Sequence, residues 1–218
     1  MRYRGVLFDL DGVLCATDRF HYRAWKAIAE QIGAPFDPAI NRRLRGVSRL
    51  DSLEILLQGV GRTYSLEEKR ALAEQKNGLY RQMLCVMTPE DLSEAVRACL
   101  IDLRAGGLRL AVASSSQNAK FILRRIGLEG FFDAVSDGTD ITRGKPDPQV
   151  FTIAAERLAL APEACLVVED APAGVQAARA GGFDCAGLGE AAACEDVTYA
   201  LSRFDDLRAL LLDSEGNS

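Results

Sequence analysis

Phe8-Asp9-Leu10-Asp11-Gly12-Val13 sets two carboxylates two residues apart, where a short apolar run gives way to a glycine-bearing turn. Crowded carboxylates repel one another and rise in pKa unless a cation offsets them, and hard oxygen ligands of this kind suit Mg²⁺. Glu169-Asp170, at the end of another apolar run, is placed to supply the remaining ligand. A carboxylate held beside such a cation can attack a phosphoryl group and form an acyl phosphate, while a second carboxylate moves the proton of an alcohol. Asp9 is the expected nucleophile and Asp11 the expected acid/base. A transferring phosphoryl also needs cationic and N–H or O–H donors, and Lys145, Ser114 and Asn118 are the candidates.

Such residues act together only if the fold brings them to one place. Gly5 to Phe8, Leu108 to Ala113 and Cys165 to Val168 read as buried strands, each followed by polar residues: Asp9, Ser114-Ser115-Ser116 and Glu169-Asp170. Between them lie helical stripes. Leu92, Val96, Cys99, Leu100 and Leu103 form one that stops at Gly106-Gly107, Phe121, Ile122 and Ile126 form another, and Val150, Phe151, Ala154, Ala155 and Leu158 form a third. Alternating strands and helices predict an α/β fold, a doubly wound, Rossmann-like parallel sheet whose ligands bind beyond the carboxyl ends of the strands. Residues 17–87 break the rhythm. Their helical periodicity (His21, Trp25, Ile28, Ile32 and the charged run Leu66 to Lys76) predicts an inserted helical cap, leaving 1–16 and 88–218 as the core. Asp213 to Ser218 read as a frayed tail.

Each piece also has a plainer reading. Asp-x-Asp-Gly suits a turn or a helix cap, the serine run suits a cap, Lys145 suits solvent, and Glu169-Asp170 suits the start of a helix. All four recurring at the expected ends of elements strains that reading. In the insertion, Arg45, Arg49 and Lys76 supply charge for a second anion site opposite Asp9, against the alternative of a solvated cationic face. His21 by itself reads as a half-buried histidine beside Trp25, and Trp25 as core packing.

The ordered set Asp9-x-Asp11-Gly12-Val13, Ser114, Lys145-Pro146-x-Pro148 and Glu169-Asp170-x-x-x-Gly174 resembles the four motifs of the haloacid dehalogenase superfamily. The insertion resembles the cap of the β-phosphoglucomutases in that superfamily, through Thr17 to Ala27, Leu44 to Ser52 and Lys76-Asn77. That resemblance implies that Asp9, the Asp11 carbonyl and Asp170 bind Mg²⁺ with Glu169 close by, and that Lys145 and Ser114 serve the transferring group. It implies a distal phosphate on Arg49, sugar contacts from Gly46, Val47, Ser52 and Lys76, an orienting role for His21 and a hinge at Thr17. Thr17 itself, with Trp25, Arg45, Ser115, Ser116 and Asn118, completes the expected substrate-binding set. Arg45 stands where that family usually carries lysine, and Ala171 where it usually carries a substrate-touching serine.

The implied reaction interconverts β-D-glucose 1-phosphate and glucose 6-phosphate through an aspartyl-phosphate and β-glucose 1,6-bisphosphate. The rivals are a sugar-phosphate or phosphoglycolate phosphatase with the same core chemistry and a non-catalytic phosphate-sensing protein. A formal net charge of −5 speaks against nucleic acid as a partner, and no apolar run is long enough to span a bilayer. The six cysteines lack C-x-x-C spacing, so buried thiols are expected rather than a zinc site. The expectation is a cytoplasmic monomer acting on small sugar phosphates.

Overall fold

The computed structural model describes residues 2–212, so the tail from Asp213 to Ser218 lies outside the described residues. Six parallel strands form one sheet in the order β3-β2-β1-β4-β5-β6. They are β1 (Gly5–Phe8), β2 (Arg109–Ala113), β3 (Ala134–Ser136), β4 (Cys165–Glu169), β5 (Asp184–Gly187) and β6 (Tyr199–Ala200). This doubly wound order reverses direction beside β1, and a crevice opens at that switch point. Register fixes what stands there: Phe8 pairs with Val112 on one side and Val168 on the other. Asp9, Ala113 and Glu169, the next residue on each strand, therefore share one sheet edge.

Both faces of the sheet are covered, and strand periodicity decides which residue faces which layer. Val6, Phe8, Leu110, Val112, Leu166 and Val168 face α5 (Glu94–Ala105), α6 (Ala119–Arg125) and α9 (Asp206–Leu211). Leu7, Ala111, Ala113 and Val167 face α7 (Gln149–Arg157) and α8 (Pro172–Ala180). Ser93 starts α5 by accepting the Val96 N–H, which satisfies one of the helix's free donors. The short strands β3, β5 and β6 were not apparent in the sequence; β3 and β6 span only three and two residues. Tertiary pairing rather than local pattern makes them strands.

Between β1 and β2 the chain forms α1 (Asp18–Ile32), α2 (Pro38–Arg43), α3 (Arg49–Leu57) and α4 (Leu66–Leu84) before it reaches α5. Ser65 and Glu68 make a reciprocal capping box at the start of α4, which registers the longest helix. These helices share their own apolar cluster of Trp25, Ile28, Leu44, Leu53, Leu56 and Leu72. Their ends nearest the sheet join the core instead, since Phe20, Ala24, Tyr80, Leu84 and Met87 pack with Phe8 and Val13. The cap thus has a separate core and a buried base. Arg125 of α6 donates to the carbonyls of Cys85 (2.7 Å) and Met87, holding the return crossing against the sheet domain.

Candidate active site

Asp9 leaves β1 buried, with 5% of its surface exposed, and accepts a 2.5 Å hydrogen bond from Lys145 Nζ. Lys145 also donates to the Ala113 carbonyl at 3.3 Å and to Glu169, so one ammonium ties together the ends of three strands. Glu169 in turn accepts the N–H groups of Asp170 (2.9 Å) and Ala171 (3.0 Å). Two glycines make room for these carboxylates. A Cβ on Gly174 would come within 1.9 Å of Glu169 Cδ, and one on Gly12 (φ +87) within 2.0 Å of Asp170 Oδ2. Their places in the sequence motifs are therefore steric requirements.

Carboxylate oxygens of Asp9, Glu169 and Asp170 lie within 4.8 Å of one another. Burial pushes the Asp9 pKa well above the usual range, against Lys145, and the negative charge of Glu169, Asp11 and Asp170 pushes it further. Burial, then Glu169, pushes Asp170 up to about 7 despite Arg45. Lys145 behaves oppositely: burial alone would lower its pKa, but Asp9 and Glu169 hold it above the ordinary value. This all-oxygen, electron-rich set fits a hard divalent cation, whose charge would relieve what burial imposes.

The Asp11 side chain turns away from that cluster. Its Oδ1 accepts from Thr17 Oγ1 and from the Tyr80 hydroxyl at 3.2 Å, with His21 Nε2 at 3.5 Å. Burial would raise its pKa, yet the hydrogen bond and charge of His21, followed by the Thr17 and Tyr80 hydroxyls, bring it down to about 2. His21 Nδ1 meets Lys76 Nζ at 2.9 Å. An amine donating to Nδ1 leaves Nε2 as the protonated ring nitrogen, aimed at Asp11. Burial, and then Lys76, lowers the His21 pKa while Asp11 opposes the shift. Lys76 is 3% exposed beneath the rings of Trp25 and Tyr80, and burial followed by the Arg49 charge lowers its pKa to about 7.

A cavity of about 480 Å³ separates these groups and exposes Asp9, Asp11 and Asp170 on the core side. Ser114, Ser115, Ser116 and Asn118 line the same side, while His21, Trp25, Arg45, Gly46, Val47, Arg49, Ser52 and Lys76 line the cap side. Lys145 and Glu169 are buried behind Asp9. Thr17 departs from the sequence expectation of a substrate-binding residue: fully buried, it stands behind Asp11 and not on the cavity wall. Although it occupies the N-cap of α1, its side chain makes no cap bond, because its hydroxyl is directed to Asp11. Ser52 lines the wall, but its hydroxyl donates to Leu44 O at 3.4 Å.

Cap and core meet around the cavity through polar contacts. Ser115 Oγ donates to Gly46 O (3.0 Å), Asn118 Nδ2 to Asn77 Oδ1 (2.9 Å) and Arg49 to Gln117 Oε1 (3.1 Å). The Arg49 guanidinium also pairs with Glu74 at 3.2 Å. Within the Ser114–Asn118 loop the hydroxyls of Ser114 and Ser116 accept the N–H groups of Ser116 and Asn118, respectively, so the serines shape the loop that leads to Asn118, the N-cap of α6. Tyr80 and Gln117 were not singled out from the sequence. Tyr80 follows Lys76 by one helical turn of α4 and so shares its face, which is the signal that identifies it. Gln117 has no comparable local signal.

The sequence profile of the haloacid dehalogenase-like hydrolases matches residues 3–182. A β-phosphoglucomutase of Bacillus subtilis is 40% identical over 97% of this chain and 95% of its own length. A phosphorylated-carbohydrates phosphatase of Thermotoga maritima is 33% identical over 82% of each chain. The crystal structure of a β-phosphoglucomutase from Clostridium difficile superposes with a TM-score of 0.91 at 29% identity, covering 97% of this chain and 96% of that one. With its motifs gathered at one sheet edge and these likenesses spanning nearly its whole length, the chain belongs to the haloacid dehalogenase-like hydrolase family, as an enzyme of phosphoryl transfer.

Proposed function

We propose that the protein interconverts β-D-glucose 1-phosphate and glucose 6-phosphate through β-glucose 1,6-bisphosphate, with Mg²⁺ as its metal. The observation that carries this reading is the pairing of two sites across one cavity: the Asp9–Lys145 centre on the core, and Arg49 with Lys76 on the cap. A monophosphate needs one such site, whereas a bisphosphate needs both. The likeness to β-phosphoglucomutases over nearly the full chain supports the same choice.

Asp9 attacks the phosphorus of a bound phosphoryl group, the bond from phosphorus to the sugar oxygen breaks, and Asp9 carries the phosphoryl as an acyl phosphate. In productive turnover, phosphorylated Asp9 donates to the 6-hydroxyl while Asp11 removes its proton. Asp11 stands ionised and oriented for this by Thr17, Tyr80 and His21. The bisphosphate then turns around, the other phosphate returns to Asp9, and Asp11 gives its proton to the departing oxygen. Lys145 fixes the attacking carboxylate, and Ser114 and Asn118 offer donors at the same edge. Asp9, Asp170 and the Asp11 carbonyl, with Glu169 beside them, would hold the metal, which supplies positive charge against the phosphoryl oxygens when bound. The cap excludes water, the competing acceptor.

The test is to supply β-glucose 1-phosphate with catalytic β-glucose 1,6-bisphosphate and follow glucose 6-phosphate and inorganic phosphate together. Glucose 6-phosphate should accumulate, EDTA should stop it, and added Mg²⁺ should restore it. Release of inorganic phosphate without glucose 6-phosphate would replace this reading with a phosphatase, and turnover indifferent to chelation would remove the metal. The protein is read as a monomer on small sugar phosphates in the cytoplasm, and light scattering on the eluting protein tests its mass.

A further inference from the structure

Arg45 sits in the turn between α2 and α3 of the cap. Gly46 (φ +74) brings the turn's backbone against Ala171, where an added Cβ would meet the Ala171 methyl at 3.2 Å. On the other side Gly144 leaves only enough space for Ser48, since a Cβ there would come within 2.7 Å of the Ser48 Cβ. Ser115 ties the turn down through the Gly46 carbonyl. From this docked turn the Arg45 guanidinium crosses to the core and binds Asp170 Oδ2. The same group lies 3.0 Å from Asp18 Oδ2 at the start of α1 and 3.6 Å from Glu190 Oε1 in the loop after β5. Three carboxylates from three segments thus converge on one cap cation, and their attraction outweighs burial and raises its pKa.

Asp170 belongs to the carboxylate set that fits the divalent cation. Lys145 occupies Asp9 and Glu169 from behind, and Arg45 occupies Asp170 from the cavity side. We infer that Arg45 is a positioning residue that acts as an internal counter-ion for Asp170. It latches the cap to the core until a divalent cation takes that carboxylate. The inference rests on the Mg²⁺ reading of the site. Its physical content is a competition: the cation and the guanidinium draw on one oxygen, so each weakens the hold of the other by the same factor. Asp18, on the cap itself, provides the guanidinium with a position to fall back to, which keeps its charge paired after release.

The test uses the full chain without substrate. Mg²⁺ binding is measured by titration calorimetry for the wild type, Arg45→Gln and Arg45→Lys, alongside hydrogen exchange at the amides of residues 42–52 with and without Mg²⁺. Thermal melts check that each variant folds. Arg45→Gln should bind Mg²⁺ more tightly, on the order of tenfold, with Arg45→Lys in between, because a lysine keeps the charge but loses the planar fork. In the wild type, Mg²⁺ should speed exchange of the 42–52 turn, and in Arg45→Gln that turn should already exchange fast and not respond. Equal Mg²⁺ affinity in wild type and Arg45→Gln, or a wild-type turn that is unmoved by Mg²⁺, overturns the latch while leaving the metal reading intact. Failure of every protein to bind Mg²⁺ overturns the metal reading and the latch with it.

Discussion

Behind the core wall of the cavity, Lys145 and Glu169 have no exposed side-chain surface and the ammonium is fixed between two carboxylates. On the cap wall, Arg49 pairs with a Glu74 side chain that is 72% exposed, and with an amide of the core loop. The magnitudes differ accordingly. Removing one partner of a buried ion pair leaves the other charge uncompensated, at about 3–5 kcal/mol, whereas a solvated pair contributes about 0–1 kcal/mol. The core wall is therefore set before any ligand arrives, and the cap wall can exchange its partners for a phosphate. In the proposed reaction the chemistry needs the first property, and a bisphosphate that must leave and turn around needs the second.

The largest expected effect is on the core wall. Asp9→Asn should abolish turnover, because a neutral amide cannot form the acyl phosphate, while circular dichroism shows a retained fold; wild-type-like turnover would remove Asp9 as the nucleophile. Next comes Asp11→Asn, which should slow transfer by roughly 10²-fold or more through lost proton transfer. Calorimetry should find Mg²⁺ binding nearly unchanged, since that side chain faces Thr17, Tyr80 and His21. A rate equal to wild type would make Asp11 structural.

Arg49→Ala probes the exchangeable wall. Conversion of β-glucose 1-phosphate should fall steeply as the distal clamp is lost, while hydrolysis of acetyl phosphate, which has no distal phosphate, changes far less. Equal falls in both reactions would mean a general lesion and would erase the contrast between the walls.

The smallest effect is a pH dependence of stability on the cap side. Lys76 has a folded pKa of about 7, below its unfolded value, so the unfolded chain binds more protons between those limits and stability rises with pH across that window. The groups facing Lys76 are His21 on α1, Arg49 on α3, Tyr80 on its own helix, and Asp11 from the core. Burial of Cys15 and Cys185 raises their pKa values, which acts in the opposite direction above about pH 8.5. The comparison with Lys76→Met isolates the lysine: in urea melts from pH 7 to 9 the wild type should gain stability relative to the variant. A constant difference would show that Lys76 stays charged in the folded protein.

The sequence by itself determined the core wall. Asp9, Ser114, Lys145 and Glu169-Asp170 are legible because each sits at the end of an apolar strand or in a turn, and a parallel sheet must gather such ends at one edge. Gly12 and Gly174 are legible in the same motifs, although only the structure shows the carboxylates that they clear. The strands β3, β5 and β6 were hidden, because the sheet extends itself by hydrogen bonding to segments with little local pattern. What only the tertiary structure decided is which partner each charge meets. Thr17 supports Asp11 from behind, Gln117 reaches Arg49, and Arg45 crosses to Asp170 over 125 residues of chain. Side-chain charges pair with whatever the packing of two separate apolar clusters brings near, and no local periodicity encodes that approach.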